Sequence, residues 1–149
     1  MKHHIEILFF VLLLLGCGVS LQSVDASKRT RQFYADYLST FNAALTFCSQ
    51  AGYTISYADK NSGVINTDYK TTPDYAGLFE KRVRVSFHVS PGSELGTMVT
   101  ATIVAEFYMG GKFKTWETIK MSQEEAEREY RRVLSSVQSF LAVPKEQFP

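Results

Sequence analysis

Two segments whose side chains alternate between apolar and polar limit the fold more than any other feature of this chain. In the segment from Lys81 to Val89, Val and Phe alternate with Arg, Ser and His. The segment from Thr97 to Tyr108 alternates in the same way, with Val, Ala, Ile and Phe on one side. Because successive side chains of a strand point to opposite faces, both segments are predicted strands. The turn residues that begin at Pro91-Gly92 predict that the two strands form an antiparallel hairpin.

The polar side of this hairpin is predicted to contain an ion pair. If Phe87 pairs with Ala101, the register of the two strands brings Arg82 opposite Glu106. As an exposed pair, these two side chains would contribute well under about 1 kcal/mol to stability.

Further strands are predicted on both sides of the hairpin along the chain. The residues from Asp59 to Gly63 have turn chemistry and connect two alternating segments. The segment from Thr71 to Gly77 is predicted to be a loop, and Gly110-Gly111 a tight turn. The predicted additional strands are 53–57, 64–69 and 112–119.

Two helices enclose this run of strands. The first is predicted from Lys28 to Ala51, because apolar residues recur there every three or four positions and Gly52 can end a helix. The second begins at Ser122, which can form a capping box with Glu125, and ends before Pro144. The predicted apolar stripes are Phe33, Tyr34, Tyr37, Leu38, Phe41, Leu45 and Cys48 on the first helix, and Ala126, Tyr130, Val133, Leu134, Val137 and Leu141 on the second.

The predicted fold class is α+β, with a four- or five-stranded antiparallel sheet and both helices packed on its apolar face in a helix-grip-like arrangement. The other face, which carries Arg82, Arg84 and His88, is expected to be wet. The residues predicted to share one core are Val83, Val85, Phe87, Ile103, Phe107, Leu134 and Leu141.

The amino terminus resembles a lipoprotein signal peptide. Lys2 precedes an apolar stretch from Ile7 to Leu15, which is shorter than the roughly 20 apolar residues of a membrane span. The run from Leu14 to Cys17 resembles the lipobox of bacterial lipoproteins. This resemblance implies cleavage before Cys17 and acyl chains on its sulfur and new amino group, and Gly18 as the next residue favours the outer membrane. An ordinary signal peptide or an uncut anchor is the alternative.

The domain organisation follows from these boundaries: a lipoprotein signal peptide over 1–16, a tether over 17–27, one α+β domain over 28–143 and a tail over 144–149. Removing residues 1–16 from 149 leaves 133, the length of one domain with a core of its own. The net charge of +1 predicts no nucleic-acid surface, which would be strongly basic.

The residues that could carry catalysis are few. Cys48 lies on an apolar helix stripe, which favours a buried thiol over a reactive one. His88 is the one histidine after residue 16, and a single histidine supplies neither a zinc site nor a catalytic dyad. No catalytic residue, cofactor or metal site is predicted.

Two further clusters have structural explanations. The glutamates after Ser122 are accounted for by helix capping and solvation: Glu124, Glu125, Glu127 and Glu129. Trp116, Phe113 and Tyr108 are equally compatible with an aromatic surface patch and with packing on the sheet.

The arrangement resembles small bacterial envelope lipoproteins built as a helix-grip domain, such as the repeated domains of BamC-type lipoproteins from the β-barrel assembly machinery. The resemblance rests on Ala51-Gly52-Tyr53, on the turn from Asp59 to Gly63 followed by Val64-Ile65, and on the closing amphipathic helix. It covers most of residues 28–142 and implies a fold and an envelope location, and it transfers no functional residue.

The protein is therefore expected to be a lipid-anchored, non-enzymatic interaction or scaffold module of the cell envelope. Its expected partners are the membrane, through acyl chains on Cys17, and an envelope protein, with neither nucleic acid nor metal. The alternative is a binding module for a small apolar ligand between helix and sheet, which would have a cavity above roughly 300 Å³. An enzyme is ranked last.

Overall fold

The fold is described by a computed structural model over residues 18–73, 79–92, 96–109 and 115–141, without the side chains of Phe79 and Met109. Three helices and nine strands are present in these ranges. The strands are β1 Val19–Ser20, β2 Thr30–Phe33, β3 Ile55–Asp59, β4 Val64–Thr67, β5 Lys70–Pro73, β6 Phe79–Pro91, β7 Thr97–Met109, β8 Trp116–Thr118 and β9 Lys120–Met121. The helices are α1 Ala26–Arg29, α2 Tyr37–Gln50 and α3 Gln123–Ser139, and a 3-10 turn spans Leu21–Ser23.

The main sheet is antiparallel and has the strand order β2-β7-β6-β4-β3, with β5 beside β6 and β8 beside β7. Strands β1 and β9 form a separate two-stranded sheet. The α+β fold class is confirmed. The sheet has seven strands rather than four or five, because the short strands β2 and β5 were not recognised from the sequence.

The predicted central hairpin is confirmed in its register. Strands β6 and β7 pair along their whole length, with Phe87 opposite Ala101 and Arg82 opposite Glu106. The inward side chains of both strands are mostly buried, and Phe87 makes an edge-to-face contact with Phe47 of α2 at 5.7 Å between ring centroids. The apolar side of the hairpin is therefore the floor on which the helices pack.

The predicted core is largely confirmed. Four of its members are buried together, two are partly buried against that cluster, and Phe107 is only half-buried. The buried four are Val85, Phe87, Ile103 and Leu134, and the partly buried two are Val83 and Leu141.

The predicted helix from Lys28 to Ala51 is wrong between Thr30 and Asp36, whereas Lys28 and Arg29 are the end of helix α1. Residues Thr30–Phe33 form β2, which pairs with the start of β7, and helix α2 begins only at Tyr37. Asp36 caps α2 by accepting a hydrogen bond from the Ser39 amide at 2.9 Å. The pairing of Thr30–Phe33 with the open edge of β7 stabilises a strand there, although the spacing of the apolar residues favours a helix. Two residues of the predicted stripe consequently face solvent, with Tyr34 89% and Leu38 55% exposed.

The predicted tether over 17–27 is also wrong where the structure describes it. Strand β1 begins at Val19, and Leu21 and Val24 are 4% and 2% exposed members of the core. The two apolar side chains are buried in a segment whose other residues are mostly small and polar, which is why its composition suggested a linker. The segment from Val19 onward therefore belongs to the folded domain, about nine residues before the predicted boundary at Lys28.

The turn before β4 requires a glycine. Gly63 has φ +73°, and a Cβ at this position would lie only 1.9 Å from the Val89 carbonyl oxygen. The close approach confirms the predicted turn before β4.

The segment predicted as a loop from Thr71 onward instead begins with β5, which pairs with β6 from Val83 to Glu80. Residues 74–78, with the rest of the predicted loop, lie outside the described ranges.

Helix α3 has the predicted start. The Ser122 hydroxyl accepts a hydrogen bond from the Glu125 amide, and the Glu125 carboxylate accepts one from the Ser122 amide, which confirms the capping box. The helix ends at Ser139, and Pro144 lies beyond the described residues. Of the strand predicted over 112–119, the structure describes β8, and the Gly110-Gly111 turn is outside the described ranges.

Candidate functional site

An open groove with a volume of about 490 Å³ lies between α3 and the inner face of the sheet. One wall consists of inward-facing residues of β6 and β7, and Leu21 and Met121 lie at the side of the small β1-β9 sheet. The apolar wall residues from the hairpin are Val83, Val85, Ile103 and Ala105.

The opposite wall is a charged stripe of α3. Glu125, Arg128, Glu129 and Arg132 lie three or four residues apart and therefore on one side of the helix. The buried stripe that begins at Ala126 runs beside it. The sequence contains this spacing, but only the packing of α3 on the sheet shows that the stripe borders a hollow rather than bulk solvent.

The two carboxylates of this wall are already engaged within the helix. Glu125 accepts the capping hydrogen bonds from Ser122, which lower the pKa of its carboxyl below the ordinary value. Glu129 pairs with Arg132 at 2.6 Å. In contrast, Arg128 of the same wall and Lys81 at the end of the apolar wall form no ion pair within 4.0 Å among the described residues. The groove thus has two cations available to an anionic ligand.

A second hollow of about 280 Å³ adjoins the groove. The two hollows share Tyr53, Arg132 and Val133, and the second is bordered by Lys70 as well. Lys70 donates a hydrogen bond to the Ala51 carbonyl at 2.8 Å. Tyr53 is half-buried, and burial raises the pKa of its hydroxyl. The extension adds Lys70 to the cations that border the hollow.

The groove lies close to the start of the fold. Val19 of β1 pairs with Met121 of β9, and Met121 and Leu21 both border the hollow. Cys17, the predicted lipid-attachment residue, is two positions before Val19 and lies outside the described residues.

The open face of the sheet carries an arginine held between two aromatic rings. The Arg82 guanidinium lies 4.2 Å from the ring centre of Tyr69 and 4.1 Å from that of Trp116. Its Nε and one terminal nitrogen both contact Glu106 Oε2 at 2.6 Å. Arg82 is 26% and Glu106 18% exposed in their side chains, so the predicted ion pair exists but is not the exposed pair that was expected.

This cluster also resolves the two alternatives for the aromatic residues. Trp116 is half-buried and packs on the sheet against Tyr108, with 5.5 Å between ring centroids, as well as against Arg82. Of the two alternatives, packing on the sheet is therefore the correct prediction for Trp116 and Tyr108. Phe113 lies outside the described ranges.

The two residues considered for catalysis from the sequence, Cys48 and His88, do not lie together in the structure. Cys48 is buried in the core, and burial raises the pKa of its thiol to about 11, so thiolate is scarce at neutral pH. His88 is exposed on the open face, opposite Thr100. Neither side chain borders the groove.

The described residues contain no group of three or more His, Cys, Asp or Glu side chains that could hold a metal ion. Within the same ranges, no helix combines the length and apolar character that crossing a membrane requires. No family model and no curated protein matches this chain.

Proposed function

We propose that this protein is a lipid-anchored, non-enzymatic interaction module of the bacterial cell envelope, held at a membrane by acyl chains on Cys17. The observation that carries the proposal is that Val19, two residues after the acceptor cysteine, already lies in a strand, β1. A domain joined so closely to its anchor stays at the lipid surface, which suits a module that acts on membrane-bound components. Gly18 after Cys17 favours the outer membrane.

The anchor accounts for membrane association without help from the protein surface. Each buried CH₂ of an acyl chain contributes about 0.8 kcal/mol, and two or more chains hold a protein stably. The chain has a net charge of +1, so its attraction to anionic lipid headgroups is small by comparison.

Mass spectrometry of the amino terminus from native membranes tests this function. The expected mature chain begins at Cys17 and carries acyl mass, while Cys17→Ser keeps its signal peptide and gains no acyl mass. A matched Cys48→Ser variant is expected to be processed and acylated normally, since Cys48 lies in the core. A mature terminus at another residue without acyl mass would overturn both the anchor and the envelope location.

The partner is proposed to be another envelope protein that contacts the open sheet face. Arginine and aromatic residues such as Arg82, Tyr69 and Trp116 are enriched at the energetic centres of protein interfaces. A photo-crosslinking residue at position 84 on this face should capture one discrete protein, whereas the same residue at position 49, on the exposed side of α2, should not. Equal crosslinking at both positions would contradict this partner surface.

A second candidate function is ligand binding between helix and sheet, and the groove of about 490 Å³ specifically favours it. Small-molecule sites span about 300–1,000 Å³ and are mostly apolar with a few placed polar groups. Val83 and Met121 are partly exposed apolar residues of the groove wall, and α3 supplies polar groups.

A further inference from the structure

We propose that the domain sits on the membrane in one orientation, with the surface around Gly18 and Lys120 against the lipid headgroups. The inference rests on the anchor at Cys17 proposed above, and it adds the part of the protein surface that contacts lipid. The partner of this surface is the phospholipid bilayer into which the acyl chains insert.

The residue that follows the proposed acceptor cysteine is packed on the domain. A Cβ at Gly18 would lie 2.8 Å from the Lys120 Cβ and 3.4 Å from the Met121 amide nitrogen, so a larger residue would require β9 to shift. Val19 continues the contact by pairing with Met121. The chain from Gly18 onward therefore follows the surface of the domain, without the flexible spacer that would let the domain turn freely about Cys17.

The next residues hold this segment in place. The Leu21 side chain is 4% exposed, and the Leu21 carbonyl oxygen accepts a hydrogen bond from the Tyr130 hydroxyl at 2.9 Å. Val24 is buried in the same core. Detaching the segment would expose both apolar side chains and break a buried hydrogen bond, and both changes are unfavourable. A firmly held segment that is bonded directly to the acylated residue limits the orientations of the domain.

The sheet topology shows which part of the domain lies far from this attachment. The Ile119 amide donates a hydrogen bond to the Ala105 carbonyl oxygen at 2.9 Å, which places the start of β9 beside that part of β7. The Gly63 carbonyl oxygen accepts a hydrogen bond from the Val89 amide, and Val89 lies opposite Val99. The turn before β4 is thus about 20 Å from Ala105 along the strands and about 10 Å across the sheet. This turn is expected to face away from the bilayer.

Lys120 has a charge that suits a surface next to lipid headgroups. Its side chain is exposed, and it forms no ion pair within 4.0 Å among the described residues. Basic side chains at a bilayer surface are attracted to anionic lipids. A headgroup phosphate is therefore the ionic partner expected for Lys120 in this orientation.

Quenching by a nitroxide on the lipid headgroup tests the orientation on the full-length acylated protein in vesicles of phosphatidylethanolamine and phosphatidylglycerol. A fluorophore is attached at Lys120→Cys or at Asn61→Cys, which are both exposed positions. Cys48 does not compete for the label, because it is buried and its thiol has a pKa of about 11. Quenching at position 120 should exceed quenching at position 61 at least about threefold, because the two positions are separated by about 20 Å along the strands. Equal quenching, or stronger quenching at position 61, would overturn the inference.

A longer link between anchor and domain provides the matched control. Twelve Gly and Ser residues, beginning with Gly, are inserted between Cys17 and Gly18, which gives a flexible spacer with an r.m.s. length of about 20 Å. The ratio of quenching at positions 120 and 61 should then fall toward one, because the domain turns freely on its anchor. An unchanged ratio would mean that the attachment at Gly18 does not orient the domain, which contradicts the inference.

Mass spectrometry of the same preparations separates failure of the orientation from failure of the anchor. A chain that carries acyl mass on Cys17 but shows equal quenching at both positions retains the proposed anchor and excludes the fixed orientation. A chain without acyl mass overturns the proposed function, and the orientation with it.

Discussion

The hydroxyl of Tyr130 donates a hydrogen bond to the carbonyl oxygen of Leu21 at 2.9 Å and accepts one from the Ile103 amide at 3.1 Å. Ile103 lies between the residues of β7 that pair with β2 and those that pair with β8. On that edge of β7, no described strand offers the Ile103 amide a hydrogen-bond partner. One buried side chain of α3 therefore joins the helix, the sheet and the segment that follows the proposed anchor.

Tyr130→Phe is expected to destabilise the domain by about 2 kcal/mol or more, because it leaves a buried donor and a buried acceptor without a partner, each costing about 1–3 kcal/mol. Urea unfolding measures the loss. Tyr34→Phe, which removes an exposed hydroxyl, should change the free energy of unfolding by less than about 0.5 kcal/mol. Equal small effects for both variants would show that the Tyr130 hydroxyl does not hold the amino-terminal segment.

Gly63 and Gly52 make a matched pair, since both have φ +73°. A Cβ at Gly63 would meet the Val89 carbonyl oxygen at 1.9 Å, whereas at Gly52 the nearest atom is the flexible Lys70 ammonium at 3.3 Å. Gly52→Ala should therefore cost only the backbone strain of about 1–2 kcal/mol. Gly63→Ala should cost clearly more, because the backbone of β6 must also move. Thermal unfolding of the two variants decides the comparison, and a similar loss for both would contradict it.

Phe87→Ala is expected to lower the free energy of unfolding by about 3–5 kcal/mol, the range for removing a buried aromatic side chain. Phe87 is buried at the centre of the hairpin and contacts Phe47 edge to face. Tyr57→Ala on the edge strand β3 serves as a control, since its side chain is largely exposed and its loss should be within about 0.5 kcal/mol. Chemical denaturation of both variants provides the test.

Arg82→Lys should destabilise the domain by about 1–2 kcal/mol. A lysine keeps the positive charge, but it loses the contacts of the guanidinium with the Tyr69 and Trp116 rings and the two contacts with Glu106. Arg84→Lys is the neighbouring control. Its side chain is exposed and lies 5.1 Å from the Tyr69 ring, so a change below about 0.5 kcal/mol is expected. A loss at Arg82 no greater than at Arg84 would mean that the stack adds nothing to the ion pair.

Glu125 makes the stability of α3 depend on pH. Hydrogen bonds from Ser122 lower the pKa of Glu125 in the folded state. Stabilisation by a carboxylate with a lowered pKa is fully present above its unfolded pKa and is lost as the pH falls through the folded pKa. Between about pH 6 and pH 3, unfolding of Glu125→Gln should therefore depend less steeply on pH than unfolding of the wild type. Parallel curves over this range would exclude a role for the charge in the cap.

The central hairpin, its register and the start of α3 could be predicted because each depends on neighbours in sequence. Alternation determines which side chains of β6 and β7 share a face, and pairing Phe87 with Ala101 then places Arg82 opposite Glu106. The Ser122–Glu125 cap is likewise complete within four residues.

The predictions for Thr30–Phe33 and for the segment from Val19 to Val24 failed for one shared reason. Both segments are held by contacts with residues far away in sequence: β2 pairs with Thr97–Thr100, and Leu21 is bonded to Tyr130. Local composition therefore indicated a helix and a tether, because neither long-range contact is visible in it.

The sequence by itself determined the α+β class, the polarity of the hairpin, the cap of α3 and the lipobox-like run at Cys17 that motivates the proposed anchor. Only the tertiary structure decided that Val19, two residues after that cysteine, already lies in a strand, that Arg82 lies between two rings, and that a charged stripe of α3 borders a groove beside the sheet. The physical reason is that periodicity and capping act over a few residues, whereas the burial of Leu21 and the walls of the groove depend on elements that are distant in the chain, as Leu21 and Tyr130 are at 109 residues apart.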